Sequence, residues 1–255
     1  MTDKQSMTIG GIPVDIIRKS NLKNMYIRVF PPDGTVTVSS SFEFKEDEIR
    51  LFVLNKLPEI TKARNKMLSQ LRQSKREYVS GESHYLWGKP YPLRVVYEGS
   101  RAKLEKMAGK LILTVPEGTD EAKREKIVTE WYRQEMKRIL ETQIANCEKK
   151  TGICASEYKI RNMKTRWGTC NIGDGKITLN LQLAKKPTEC LEYVLIHELV
   201  HLMEKNHTNR FYALVEEFCP NWKEAKKQLA AMPLDYIEKG EHNTDGEEAD
   251  MERYL

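Results

Sequence analysis

An α+β fold is what this 255-residue sequence predicts, from a change of period along the chain. Short β-branched and aromatic stretches fill most of the first 116 positions, whereas long apolar repeats at helical spacing dominate from 117 to 234. A hairpin pattern also stands directly before an apolar helix that carries two histidines four residues apart. The expected layout is a β-rich N-terminal region packed on a basic amphipathic helix (1–116), a helix-plus-hairpin metal-binding domain (117–234) and an acidic, mobile tail (235–255).

Taken in order, Val14–Arg18, Met25–Phe30 and Thr35–Val38 read as strands, and Pro31-Pro-Asp-Gly34 turns the last two into a hairpin. Ile49, Val53, Leu57, Ile60, Met67 and Leu71 then recur at helical spacing among lysines and arginines, with Pro58 bending or restarting the helix. Packing on a sheet is the common fate of such a helix; binding nucleic acid or membrane is the rarer one. Strand character returns in Tyr78-Val79, Tyr85–Tyr91, Leu93–Tyr97 and Leu111–Val115. Thr119 or Asp120 caps a long helix to about Lys150. Tyr158–Cys170 alternates loosely until Gly168, Asn171–Gly175 is a turn, and Lys176–Leu183 is a second strand. Pro187-Thr188 opens the histidine helix, Thr208–Phe218 forms another, and Trp222–Ala231 a last short one. No internal repeat is visible.

Composition narrows the class. Apolar content of 40% is ordinary for a globular protein, and no apolar run approaches a membrane span. The N-terminus shows no basic stretch leading into an apolar core, so a cytoplasmic location without a secretory signal is expected. Five cysteines, an odd set with no C-x-x-C, fit free thiols in a reducing compartment; their spacing matches no zinc ribbon or finger. From Asp235 onward eight acids face only Lys239 and Arg253, so the body is more basic than the overall +5 suggests. That balance could favour an anionic partner such as nucleic acid, although a solvated lysine-rich surface is the commoner meaning.

The chemistry concentrates in Tyr193-Val-Leu-Ile-His-Glu-Leu-Val-His201, an H-E-x-x-H within an apolar run. Residues four apart on a helix share a face, so His197 and His201 can aim both imidazoles at one point. With a third ligand they make a divalent-metal site that leaves room for water, and Glu198 could take that water's proton. The bland alternative is two buried histidines on a core helix. Against it, the flanking residues make the helix apolar nearly all round, and a buried glutamate there is costly unless paired or near a metal. The third donor is His207, six residues on, or a carboxylate of the next helix, Glu216 or Glu217.

Lys164-Thr-Arg-Trp-Gly-Thr-Cys170, Ile177-Thr-Leu-Asn180, Tyr193–Leu202, Asn206-His207 and Phe211 together resemble the YgjP-like metallopeptidase family, which is related to the SprT and WLM zincins. Leu86-Trp-Gly-Lys-Pro-Tyr91 and Trp131-Tyr132 extend the resemblance over most of 12–232. It implies a zincin-like C-terminal domain, with His197, His201 and His207 as metal ligands and Glu198 as general base. Thr169 stands where the family usually has Ser, and Val200 where many relatives have Cys or Ala. Independently, the His201–His207 interval equals that of the metzincin motif H-E-x-x-H-x-x-G-x-x-H. Glu204 replaces the glycine, so the chain reversal is expected at Lys205-Asn206, since asparagine tolerates left-handed backbone.

Other residues offer supporting roles. Arg166 could hold a substrate carbonyl, carboxylate or phosphate, or form a structural salt bridge. Trp167 is expected in the core. Asn180 and Asn206 could orient ligands, and Tyr212 could donate to an oxyanion. His84 and His242 have no partner in sequence. The leading expectation is a metal-dependent hydrolase, a zinc metallopeptidase acting on a peptide or protein, with another divalent metal as an option. Two alternatives stand beside it. One is a metal-dependent nucleotide or phosphoester hydrolase using Arg166, Lys164 and Lys159; the other is a nucleic-acid-associated binding protein with a structural metal.

Overall fold

A computed structural model of the chain describes residues 2–30, 33–69, 75–163 and 166–231. The expected tail from 235, with His242, and also Leu71, Lys164 and Thr165 fall outside them. The fold is α+β, and the described residues form two compact units, one up to residue 69 and one from residue 75.

In the first unit, β1 (Thr2–Ile9), β2 (Ile12–Lys19), β3 (Tyr26–Phe30) and β4 (Thr35–Ser40) form a sheet in the order β1-β2-β4-β3. The β1–β2 hairpin turns at Gly10-Gly11, both left-handed (φ 55° and 77°), as a two-residue turn with matching twist requires. Val14 and Ile16 of β2, with Val36 and Val38 of β4, point to one buried face. α1 (Glu46–Asn55) and α2 (Leu57–Ser69) cover that face through Ile49, Val53 and Ile60. Pro58 ends one helix and restarts the next, because proline lacks the N–H the helix interior needs.

The second unit opens with β5 (Ser83–Leu86), β6 (Lys89–Tyr97), β7 (Lys103–Met107) and β8 (Lys110–Val115), ordered β5-β6-β8-β7. This is the topology of the first sheet again: an antiparallel hairpin, a parallel pairing of its second strand with the fourth, and the third antiparallel to the fourth. Even the turns correspond, since Trp87-Gly88 adopts φ 49° and 77°. A structural repeat is therefore present where the sequence shows none. In the second copy the turn abuts the chain further on: Trp87 N–H donates to the Ala184 carbonyl (2.9 Å) and Gly88 N–H to that of Lys185 (3.3 Å). A Cβ at residue 88 would stand 2.8 Å from Pro187 Cγ, so glycine is required there for the approach as well as for φ.

α3 (Glu121–Thr151) starts at Asp120, whose carboxylate accepts from Lys123 N–H at 2.8 Å, and ends at left-handed Gly152. Its Val128, Tyr132 and Met136 share one core with Leu93, Leu111 and Leu113 of the sheet. A three-stranded sheet follows, β10-β11-β9, from β9 (Glu157–Arg161), β10 (Gly168–Asn171) and β11 (Lys176–Asn180). The expected hairpin is β10–β11, while β9 lies parallel to β11 on its other side. The strand expected to reach Leu183 stops at Asn180: the Asn180 side chain accepts from Gln182 N–H and starts a 3₁₀ turn over Leu181–Lys185. Three helices complete the unit, α4 (Thr188–Val200), α5 (Asn209–Phe218) and α6 (Trp222–Ala231). Among the described residues no helix is long and apolar enough to cross a membrane, and all five cysteines are free thiols.

His84, on β5, is 1% exposed with its Nε2 3.2 Å from Glu82 Oε2. Burial, then the nearby Arg76 and Lys185 charges, hold its pKa down to about 4 from the ordinary 6.5, against the pull of Glu82. The unfolded chain therefore binds the extra proton first. Stability is expected to be full above pH 6.5 and to fall as the pH drops toward 4, by about 2 kcal/mol at pH 5. Urea unfolding at pH 7 and pH 5 checks this; His84→Gln should flatten the difference, and an unchanged slope in that variant would assign it elsewhere.

Candidate metal centre

Nine of the thirteen residues of α4 are buried, including Glu198, because the helix is packed on several sides by α3, β10, α5 and α6. Its apolar sequence meets that demand. His197 and His201 sit one turn apart on that face, with ring centroids 4.9 Å apart. The helix ends at His201 and the chain folds back through tight turns, Met203 N–H and Glu204 N–H both donating to the Val200 carbonyl at 2.9 Å. The chain also bends at Lys205 and Asn206, as expected, but neither has the left-handed φ anticipated for asparagine, and the turns over 201–204 share in the reversal. Thr208 then caps α5, its hydroxyl accepting from Phe211 N–H at 3.3 Å, and this sets His207 beside the other two rings.

The three imidazoles converge: one ring nitrogen from each lies within 4.8 Å of the others, and they form the metal-capable group among the described residues. His197 Nε2 and His207 Nε2 are 3.1 Å apart. His201 Nδ1 lies 3.2 Å from the Glu204 carbonyl, a partner that makes Nδ1 the donor and leaves Nε2 the lone pair. Phe211 is fully buried beneath them, its ring centroid 4.9, 4.6 and 4.7 Å from those of His197, His201 and His207. That apolar floor was not assigned in the sequence, although its signal is there: Phe211 follows His207 by four residues. Tyr212 stacks on His207 (6.0 Å, 24°), Trp222 on Tyr212 (5.5 Å, 23°) and Tyr193 on Trp222 (6.2 Å, 23°), and Tyr193 meets His197 edge-on (5.8 Å). This aromatic chain joins two of the three histidines.

The remaining candidates are dispersed. Glu216 and Glu217 stand outside the convergent group; Glu216 accepts from Trp222 Nε1 and pairs with Lys223 at 3.1 Å. Asn180 is 4% exposed, and its side chain holds a loop: it accepts from Met163 N–H (3.2 Å) and donates to the carbonyls of Met163 (2.8 Å) and Arg166 (2.6 Å). Arg166 is half-buried on that loop, just ahead of β10. Trp167, expected in the core, is half-buried under the Lys186 ammonium, 5.5 Å from its ring. Asn206 is exposed, and its carbonyl accepts from Thr208 N–H at 2.8 Å. Lys159 pairs with Glu157 at 3.2 Å.

Three imidazoles on a helix and its return loop, with a buried glutamate next in sequence to the first, are the kind of donor set found in metal-dependent hydrolases. The chain matches the family described as YgjP-like, metallopeptidase domain, over residues 23–232, and it belongs to that family. Among solved structures it is similar to the metallopeptidase zymogen abylysin of Pyrococcus abyssi, at 26% identity and a TM-score of 0.33, covering 35% of this chain and 90% of that one. No curated protein matches it.

Proposed function

We propose that the chain is a zinc metallopeptidase with a zincin-like C-terminal domain, in which His197, His201 and His207 hold the cation and Glu198 is the general base. The observation that carries the reading is the convergence of the three ring nitrogens within 4.8 Å. Bonds of 2.0–2.1 Å from a tetrahedral ion put its ligand nitrogens about 3.3 Å apart, close to the 3.1 Å between His197 Nε2 and His207 Nε2. An all-nitrogen donor set suits Zn²⁺ and its borderline neighbours and disfavours Mg²⁺ or Ca²⁺, which take oxygen. The phosphoester reading loses ground for the same reason, and because the Lys159 ammonium is already paired.

Bound there, a divalent cation would supply Lewis acidity, lowering the pKa of water toward neutrality and polarising a carbonyl. The chain's own residues do the rest. Glu198, on the helix that carries two of the ligands, takes the proton of the attacking water and returns it to the leaving amine. Phe211 keeps water from beneath the imidazoles. The outer edge of β10 offers backbone groups to an extended peptide, which then lies across the site as an added strand.

Elemental analysis of purified protein is expected to give one zinc per chain. Treatment with 1,10-phenanthroline should abolish cleavage of labelled casein, and stoichiometric Zn²⁺ should restore it. Undiminished cleavage by the metal-free protein would sink the proposal.

A further inference from the structure

Gly168 lies on β10 where this edge strand passes α4. A Cβ built there would stand 2.7 Å from Glu198 Oε1, 2.8 Å from Glu198 Cγ and 2.9 Å from Val194 Cγ1. Carbon atoms pack best at about 3.5–4.0 Å, so a side chain there would force these atoms to shift. The backbone does not call for glycine: Gly168 is outside the left-handed region and pairs as an ordinary ladder residue with Leu179. Close approach is the remaining reason for a glycine in a strand. Neither wall yields easily. Glu198 belongs to a helix buried along most of its length, and β10 is tied down through the Trp167 carbonyl, which accepts from Asn180 N–H at 2.9 Å.

We propose that Gly168 is a positioning residue for the general base: its bare Cα is the surface against which the Glu198 carboxylate is set toward the three imidazoles. The proposal rests on reading Glu198 as the base. With a methyl group at 168 the carboxylate has to retreat by roughly 0.7 Å or more to regain ordinary contact. Misplacement on the order of 1 Å costs about a hundredfold in rate.

The test is a double-mutant cycle with two readouts: the Tm of the metal-free full chain, and kcat on fluorescein-labelled casein with zinc-loaded protein. Gly168→Ala is expected to lower kcat roughly ten- to a hundredfold, with KM and zinc stoichiometry unchanged. It should also lower Tm by several degrees in the parent and by less in Glu198→Ala, where Oε1 and Cγ of residue 198 are gone and Val194 Cγ1 alone stays close. Parental kcat in Gly168→Ala, or an equal Tm loss in both backgrounds, overturns the proposal. If Gly168→Ala does not fold, a folded Gly168→Ala/Glu198→Ala chain supports it, and failure of both overturns it. Failure of the underlying reading looks different: Glu198→Gln would keep full turnover while the Tm coupling between residues 168 and 198 persisted.

Discussion

Glu198→Gln is expected to keep its zinc and lose on the order of a thousandfold in kcat, equivalent to about 4 kcal/mol of transition-state stabilisation. The amide has the shape of the carboxylate, so the close fit against Gly168 and the burial on α4 are preserved. What disappears is the capacity to accept a proton from water. The three histidines are untouched, so zinc per chain and Tm should match the parent. Casein cleavage within tenfold of the parent, with contaminating proteases excluded by a His201→Ala control, would remove Glu198 from the mechanism.

The second large effect is expected at Asn180. Its side chain makes four hydrogen bonds from a buried position, to Met163 N–H, the Met163 and Arg166 carbonyls and Gln182 N–H. Net worth is about 1 kcal/mol per bond, and each buried group left without a partner adds its own desolvation cost, so Asn180→Ala should lose roughly 3–5 kcal/mol in urea unfolding. Asn180→Asp should do no better, since a carboxylate oxygen would then face two carbonyls that need a donor. Both variants should also lose activity, because the loop held by Asn180 leads into Gly168. A loss under 1 kcal/mol in Asn180→Ala would show that the loop is fixed by other contacts.

Much of this was legible in the residues, for identifiable reasons. The i, i+4 spacing of His197 and His201 is a property of helix geometry alone, and the cap at Asp120 and the restart at Pro58 follow from local backbone chemistry. The strands that escaped notice are β1 and β7, whose sequences TDKQSMTI and KLEKM are largely polar. Both are edge strands, where charged residues facing solvent are normal and the alternating apolar signal fades. The repeat escaped for a related reason. Its copies share topology but few residues, chiefly the turn pairs Gly10-Gly11 and Trp87-Gly88 and the following prolines, Pro13 and Pro90. Leu181–Leu183 looked like strand because its apolar spacing cannot register a cap supplied by Asn180. The spacing of Phe211 four residues after His207 is visible in the sequence, but its place under all three imidazoles depends on the loop through residues 201–207.

The burial of α4 has a further consequence. A helix enclosed along most of its length is held by its own packing, so under the proposed assignment His197 and His201 would not need a cation to bring them together. Loading is then the filling of a ready socket, unlike a zinc finger, where ion and architecture appear together. On that assignment, removing the metal would leave the helix and two of the three ligands in place.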